Sequence, residues 1–180
     1  TPMYLDGYLP IVTIKYQHEA AAYLEEAFAA IDDVSAAHGG AMLRFSIDAA
    51  GDAATERKIA ARIESDGPLH EDRGCIFNSK GECLVAFSPA WQWEARQNML
   101  VAGLTPGKTA EFAIYTKPVA RAQKISSASY DRSRQQCIEA WNTLLARGVR
   151  LQTPEEIVND AWRSMLIGNF MIAVGDRPNY

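Results

Sequence analysis

Hydrophobic and polar positions follow two different periods along the chain, and the change falls near Lys124. Before that point, apolar residues alternate with polar ones in short runs, which is the period of a half-buried strand. One run begins after Pro10 and places on one side Val12, Ile14, Tyr16 and His18. The spacing returns at Leu43, Phe45 and Ile47, and again at Ile59, Ala61 and Ile63. These runs predict separate strands.

Turn residues stand between the apolar runs. Gly51 lies in an Asp- and Gly-containing stretch, 48–52, that is typical of a turn. Asn78 and Gly81 separate the runs 75–77 and 84–87, which predicts a hairpin. Thr105-Pro106-Gly107 predicts another reversal, followed by a strand with Ala110, Phe112 and Ile114 on one side. Short strands divided by turns are typical of an antiparallel β-sandwich.

Residues 19–30 fit two secondary structures. Their Ala, Glu and Leu content has the intrinsic propensity of a helix. They also alternate as a strand would, with Leu24, Glu26, Phe28 and Ala30 on one face and Tyr23, Glu25, Ala27 and Ala29 on the other. The residues alone leave this choice open.

After Lys124 the spacing becomes helical. A helix is predicted over 129–147 and ends at Gly148. Its apolar side comprises Tyr130, Cys137, Ile138, Trp141, Leu144 and Leu145. A second helix is predicted after Thr153, with Pro154 in its first turn and Glu156 completing a capping box.

The second predicted helix is apolar on nearly all sides. Its apolar positions are Ile157, Val158, Ala161, Trp162, Met165, Leu166, Phe170 and Ile172. Such a helix must be enclosed by other elements. Either it packs against the sandwich, or its helical neighbours lie beyond Tyr180.

Composition excludes some classes of function. The chain has 180 residues, 48% of them hydrophobic, and a net charge of −4 with scattered Lys and Arg, so nucleic-acid binding is not expected. The apolar run 165–174 is too short to span a membrane and is predicted to be a buried helix. The first residues carry no export signal. The lack of an initiating Met and of a C-terminal tail predicts a processed or truncated piece, and localisation stays open.

The sequence predicts neither a metal site nor a cofactor. His18, His38 and His70 are far apart, and no phosphate-binding loop or nucleophile elbow is present. Cys75, Cys83 and Cys137 form an odd set and are predicted to be free thiols; a bridge between Cys75 and Cys83, which flank the hairpin, is the less favoured alternative.

Few residues suggest chemistry. The acidic pairs at 25–26, 32–33 and 71–72 are predicted to be solvated surface, because sequence neighbours cannot face each other across a glycosidic bond. Trp91 and Trp93 would face the same side of a strand. There they would either form an exposed platform for a sugar ring or pack in the sandwich interior or at the domain seam, and the packed position is favoured.

The last residues are the better candidates for substrate binding. Asp176, Arg177, Asn179 and Tyr180 follow the apolar helix directly and combine hydrogen-bonding groups with an aromatic face. They represent either a binding loop or an ordinary helix-ending loop.

Two parts of the chain resemble six-hairpin glycosidase-like proteins. The run Thr-Pro-Glu-Glu-Ile-Val-Asn-Asp-Ala-Trp-Arg-Ser-Met-Leu-Ile-Gly-Asn-Phe at 153–170, after the helix with Trp141 and Gly148, resembles their domain junction. The segments 7–16, 23–28 and 40–45 resemble the preceding β-sandwich. The resemblance implies a β-sandwich (supersandwich) over 1–120, a linker with a helix over 121–152, and the first helix of an alpha/alpha toroid over 153–180. It also favours a strand for residues 19–30.

The resemblance implies a carbohydrate partner. In that superfamily, which includes trehalases, glucoamylases and disaccharide phosphorylases, the catalytic carboxylates lie on later helical hairpins. The chain is therefore expected to be the N-terminal portion of a carbohydrate-active enzyme, without catalytic residues of its own, whose partner is the rest of the helical domain. A non-catalytic carbohydrate-binding or structural module is the alternative, and an interaction domain docking through the apolar helix is a third.

Overall fold

The computed structural model describes residues 2–18, 21–48, 56–120 and 122–171, and the backbone of 173–174 and 177–178. The strands are β1 Pro2–Leu5, β2 Leu9–His18, β3 Ala21–Ala29, β4 Gly40–Asp48, β5 Arg57–Arg62, β6 His70–Asp72, β7 Cys75–Phe77, β8 Cys83–Phe87, β9 Trp91–Glu94, β10 Met99–Leu104, β11 Thr109–Val119, β12 Ala173–Val174 and β13 Arg177–Pro178. The helices are α1 Asp33–Ala37, α2 Ser127–Ala146 and α3 Glu156–Met171. The fold is thus mainly β with two C-terminal helices, as the sequence predicts.

The strands form two main sheets. One has eight strands in the order β1-β2-β3-β4-β11-β8-β7-β6, and the other has three in the order β5-β10-β9. The described strand pairs are antiparallel throughout. This confirms the predicted antiparallel character, since the chain reverses between successive short strands at turns.

The predicted strands are confirmed as β2, β4, β5, β7, β8 and β11, and the predicted hairpin joins β7 and β8. Gly107 has a φ of 83° and Lys108 N donates to Thr105 O at 3.0 Å, so the predicted reversal is present. One start is corrected, because β2 begins at Leu9 and includes Pro10. A register shift between Tyr4 and Leu5 of β1 accommodates Pro10, which has no N–H to donate. The turn predicted at 48–52 lies, beyond Asp48, outside the described residues.

Residues 21–29 form a strand, and the two-faced alternation prevails over helix propensity. β3 pairs with β2 on one side and with β4 on the other. Its opposite faces enter different cores, since Tyr23 packs in one and Phe28 in the other. A segment between two partner strands satisfies all its backbone groups in the sheet, so its own propensity carries little weight.

Two hydrophobic cores lie on opposite faces of the eight-stranded sheet. The sheet core, between the two sheets, contains Phe45, Trp91, Leu100, Leu104 and Phe112. The helix core, between the large sheet and α2, contains Ile11, Phe28, Met42, Tyr130 and Cys137. The molecule therefore has three layers: small sheet, large sheet and helices.

The helix α2 confirms the prediction for 129–147, with Tyr130 and Cys137 buried and Ile138 and Trp141 packed beside them. It begins two residues earlier because Ser126 forms a capping box with Ser129: Ser129 N donates to Ser126 Oγ at 3.2 Å, and Ser126 N donates to Ser129 Oγ at 2.9 Å.

The capping box predicted at Thr153 is wrong. α3 begins at Glu156, and the Thr153 hydroxyl donates to the Glu155 carbonyl instead of accepting from helix amides. The side chain of Asn159 binds the backbone of Thr153 instead. Its Oδ1 accepts from Thr153 N at 2.8 Å, and its Nδ2 donates to Thr153 O at 3.1 Å.

The prediction of a buried helix over 165–174 is also wrong. α3 ends at Met171, residues 173–174 form β12, and Ile172 lies outside the described part. On α3 only Ile167 is buried among the residues described, while Ile157 and Met171 are 79% and 62% exposed. α3 does pack against β2 and α2, yet with one side alone. Neither α2 nor α3 has both the length and the apolar character of a membrane span.

Candidate functional site

Trp91 and Trp93 face the interior of the molecule. They pair with Ala102 and Leu100 of β10 and so share one face, as predicted. Trp91 is 3% exposed, and its ring lies 5.7 Å from that of Phe45, centroid to centroid. Trp93 is half-buried in the same core. The interior position favoured by the sequence is thus the observed one, and Trp91 presents no exposed stacking platform.

The C-terminal candidates lie mostly outside the described residues. This holds for Asp176, Asn179 and Tyr180. Arg177 belongs to β13, which pairs with β12 through the register Val174↔Arg177. Substrate binding by these four residues stays a prediction.

The three cysteines are buried free thiols, as predicted. Cys83 Sγ donates to Val85 O at 3.3 Å. A hydrogen bond between the two thiols lowers the pKa of Cys75 and raises that of Cys83. In the portion of the chain that the structure describes, no cluster of His, Cys, Asp and Glu is arranged to hold a metal ion.

One acidic pair is less solvated than predicted. Glu26 is only partly exposed, and its Oε1 lies 2.9 Å from Arg134 Nε and accepts from the Tyr130 hydroxyl at 3.1 Å. Burial raises the pKa of the neighbouring Glu25. The solvated-surface prediction therefore fails at this pair, because β3 is covered by neighbouring layers on both faces.

A second buried carboxylate, Glu111, was not among the sequence candidates. It is 1% exposed and accepts from Arg44 Nε at 3.2 Å and from Thr109 Oγ1 at 2.6 Å. Arg44 also pairs with Asp131 of α2 at 2.7 Å, and its guanidinium lies 4.0 Å from the centroid of the Tyr130 ring. Glu26 and Glu111 each accept a hydrogen bond from an arginine guanidinium. Glu26 attaches α2 to the large sheet through Arg134, and Glu111 holds Arg44, whose second carboxylate partner is Asp131 of α2.

A cleft of about 420 Å³ opens where the end of α2, the connection 147–155 and α3 meet the loop before β2. We call it the α2–α3 cleft. Its polar and aromatic lining consists of Tyr8, Asn142, Arg150, Gln152, Asn159, Trp162 and Arg163. Leu145, Val149 and Leu166 contribute to its apolar lining. A volume of this size suits a small ligand.

Hydrogen bonds hold the walls of the cleft. Trp162 Nε1 donates to Val149 O at 3.2 Å and so joins α3 to the connection. Next to Trp162 on α3, the Arg163 guanidinium lies 4.8 Å from the centroid of the Tyr8 ring and pairs with Asp160 at 2.9 Å. The aromatic rings are thereby fixed before any ligand arrives.

Three polar side chains of the cleft are uncommitted. Asn142, Arg150 and Gln152 make no side-chain hydrogen bond or ion pair with any other described residue, and all three are exposed. Amides and a guanidinium beside two aromatic rings match the needs of a saccharide, which offers hydroxyl groups at its edges and an apolar C–H face. Sequence reasoning missed this site because Tyr8 is far from α2 and α3 along the chain. Trp162 was assigned to an enclosed helix.

Comparison of the chain with protein-family models, curated proteins and solved structures gave no match. Functional inference therefore depends on the chain's own residues and geometry.

Proposed function

We propose that the chain is the N-terminal portion of a carbohydrate-active, glycoside hydrolase-like enzyme and that its α2–α3 cleft binds saccharide. The observation that carries this proposal is the combination in one cleft of Tyr8 and Trp162 with the uncommitted Asn142, Arg150 and Gln152. The residues that resemble a six-hairpin glycosidase junction include Trp162 and lie in the same place.

The exposed side of α3 supports a further helical domain. Ile157, Met165, Phe170 and Met171 are at least 46% exposed. Apolar patches of this kind are usually covered by another element or partner. In the proposal, the β layers correspond to a supersandwich, and α3 is the first helix of an alpha/alpha toroid whose remaining hairpins cover this side and provide the catalytic carboxylates.

The test is titration of the protein with neutral and acidic oligosaccharides, followed by tryptophan fluorescence and by calorimetry. Binding should shift the emission of Trp162, and Trp162→Ala should weaken it about tenfold, because a ring–sugar contact is lost. Trp93→Phe, in the sheet core, is the matched control and should leave affinity unchanged. If no oligosaccharide binds the folded protein, the proposal is wrong.

A non-catalytic carbohydrate-binding module is the second candidate. One observation favours it: the described residues complete the cleft, and the Glu26–Arg134 and Arg44–Asp131 pairs attach α2 to the sheet. Binding without hydrolysis, in the longest natural form of the protein, would favour this candidate over the enzyme.

A further inference from the structure

The lining of the α2–α3 cleft carries positive charge alone. Arg150 and Arg163 line it, and none of the described lining residues carries a carboxylate. The chain as a whole has a net charge of −4, so this local excess runs against the average. A cleft lined by one sign of charge concentrates ligands of the opposite sign.

The two arginines differ in their partners. Arg163 already pairs with Asp160 and lies against Tyr8. Arg150, by contrast, has no carboxylate partner within the described ranges, although its fork of donors suits one. The hydrogen bond from Trp162 Nε1 to Val149 O holds the residue before Arg150 beside the Trp162 side chain.

From this placement we propose that the α2–α3 cleft selects an acidic saccharide. The carboxylate of a uronic acid unit pairs with the Arg150 guanidinium, and the sugar ring packs against Trp162. This inference deepens the proposed function and depends on it, since it names the class of saccharide. The amides of Asn142 and Gln152 then hydrogen-bond to the ring hydroxyls.

The experiment compares trigalacturonate with its fully methyl-esterified form, which keeps the rings and removes the charges. Calorimetry should give the acid an affinity about tenfold or more above that of the ester, because a charge-assisted hydrogen bond is lost in the ester. Arg150→Gln should abolish that preference and leave ester binding unchanged. Arg96→Gln, an exposed arginine between β9 and β10, is the matched control and should preserve the preference.

Each of the other outcomes contradicts one specific part of the proposal. Equal, Trp162-dependent binding of acid and ester overturns the acidic preference and leaves the proposed function standing. A preference that survives Arg150→Gln overturns the role of Arg150. Inorganic phosphate that competes as well as trigalacturonate shows a bare anion site and overturns saccharide selection. Absence of binding to both sugars, with circular dichroism showing a folded protein, overturns the proposed function itself.

Discussion

The hydroxyl of Tyr130, on α2, lies 3.1 Å from Oε1 of Glu26, on β3, although 104 residues separate them along the chain. The Tyr130 ring is fully buried and meets Phe28 edge to face, with centroids 5.2 Å apart. Burial, together with the Glu26 carboxylate, raises the pKa of Tyr130, so its hydroxyl stays protonated and donates. This contact joins α2 to the sheet at its most buried residue.

Tyr130→Phe should lower the free energy of unfolding by about 1 kcal/mol, the usual net contribution of one hydrogen bond. The ring packing remains, and Glu26 keeps Arg134. Urea unfolding followed by circular dichroism measures the change. Tyr4→Phe alters an exposed tyrosine and is the control. Equal stability of Tyr130→Phe and wild type would show that the hydroxyl contributes nothing.

Removing Arg44 should be far more damaging than removing its whole ion pair. Arg44→Met leaves the buried Glu111 without its cation, and the expected loss is about 3–5 kcal/mol. The double variant Arg44→Met/Glu111→Leu should be more stable than Arg44→Met, since no buried charge is left unpaired and Asp131 is exposed to solvent. The exposed pair of Lys15 and Asp48, at 3.1 Å, is the comparison: Lys15→Met should change stability by less than about 1 kcal/mol. Denaturant unfolding of the wild type and of these variants checks the order.

The sequence predicts the strands that carry these ion pairs but not the ion pairs themselves. Alternation predicted β2, β4 and β11 because the side chains of a strand point to opposite faces every second residue. It could not predict that Arg44 meets Glu111, 67 residues away, because this contact depends on the register Arg44↔Glu111 between β4 and β11. The α2–α3 cleft was missed for the same reason, since only the tertiary fold brings Tyr8 next to α3. The misplaced cap at Thr153 has a local cause, because the amide of Asn159 binds both backbone groups of Thr153.

Glu25→Gln should stabilise the protein at pH 7 and have little effect at pH 3. Burial raises the pKa of Glu25 in the folded state above its ordinary value, so its charged form is disfavoured there. Below the unfolded pKa the carboxyl is protonated in both states and contributes no penalty. As pH rises through the unfolded and then the raised folded pKa, the penalty appears, and the amide avoids it. Urea unfolding at both pH values measures this, with the exposed Glu64→Gln as control. A gain that is the same at both values would contradict the explanation.

Ser126→Ala should destabilise the protein by about 1 kcal/mol, because the first turn of α2 loses its capping box. Ser127→Ala, one residue along and inside the helix, should have a much smaller effect, since the Ser127 hydroxyl makes no hydrogen bond with any described residue. Thermal unfolding of the two variants checks the difference. Equal losses would mean that hydroxyl removal as such, rather than the cap, is responsible.

Gly7→Ala should disturb the wall of the α2–α3 cleft. Gly7 has a φ of 77°, and a Cβ added there would lie 2.7 Å from Asp160 Oδ2. Gly81 is the matched control, because its φ is 75° and a Cβ there would meet nothing within 4 Å. Both variants should lose about 1–2 kcal/mol through the left-handed conformation alone. Only Gly7→Ala must also displace Asp160, the ion-pair partner of Arg163, so it should lose more stability and shift the fluorescence of Trp162. Identical stability losses and an unchanged emission spectrum in both variants would show that the contact between Gly7 and Asp160 does not help to hold the cleft.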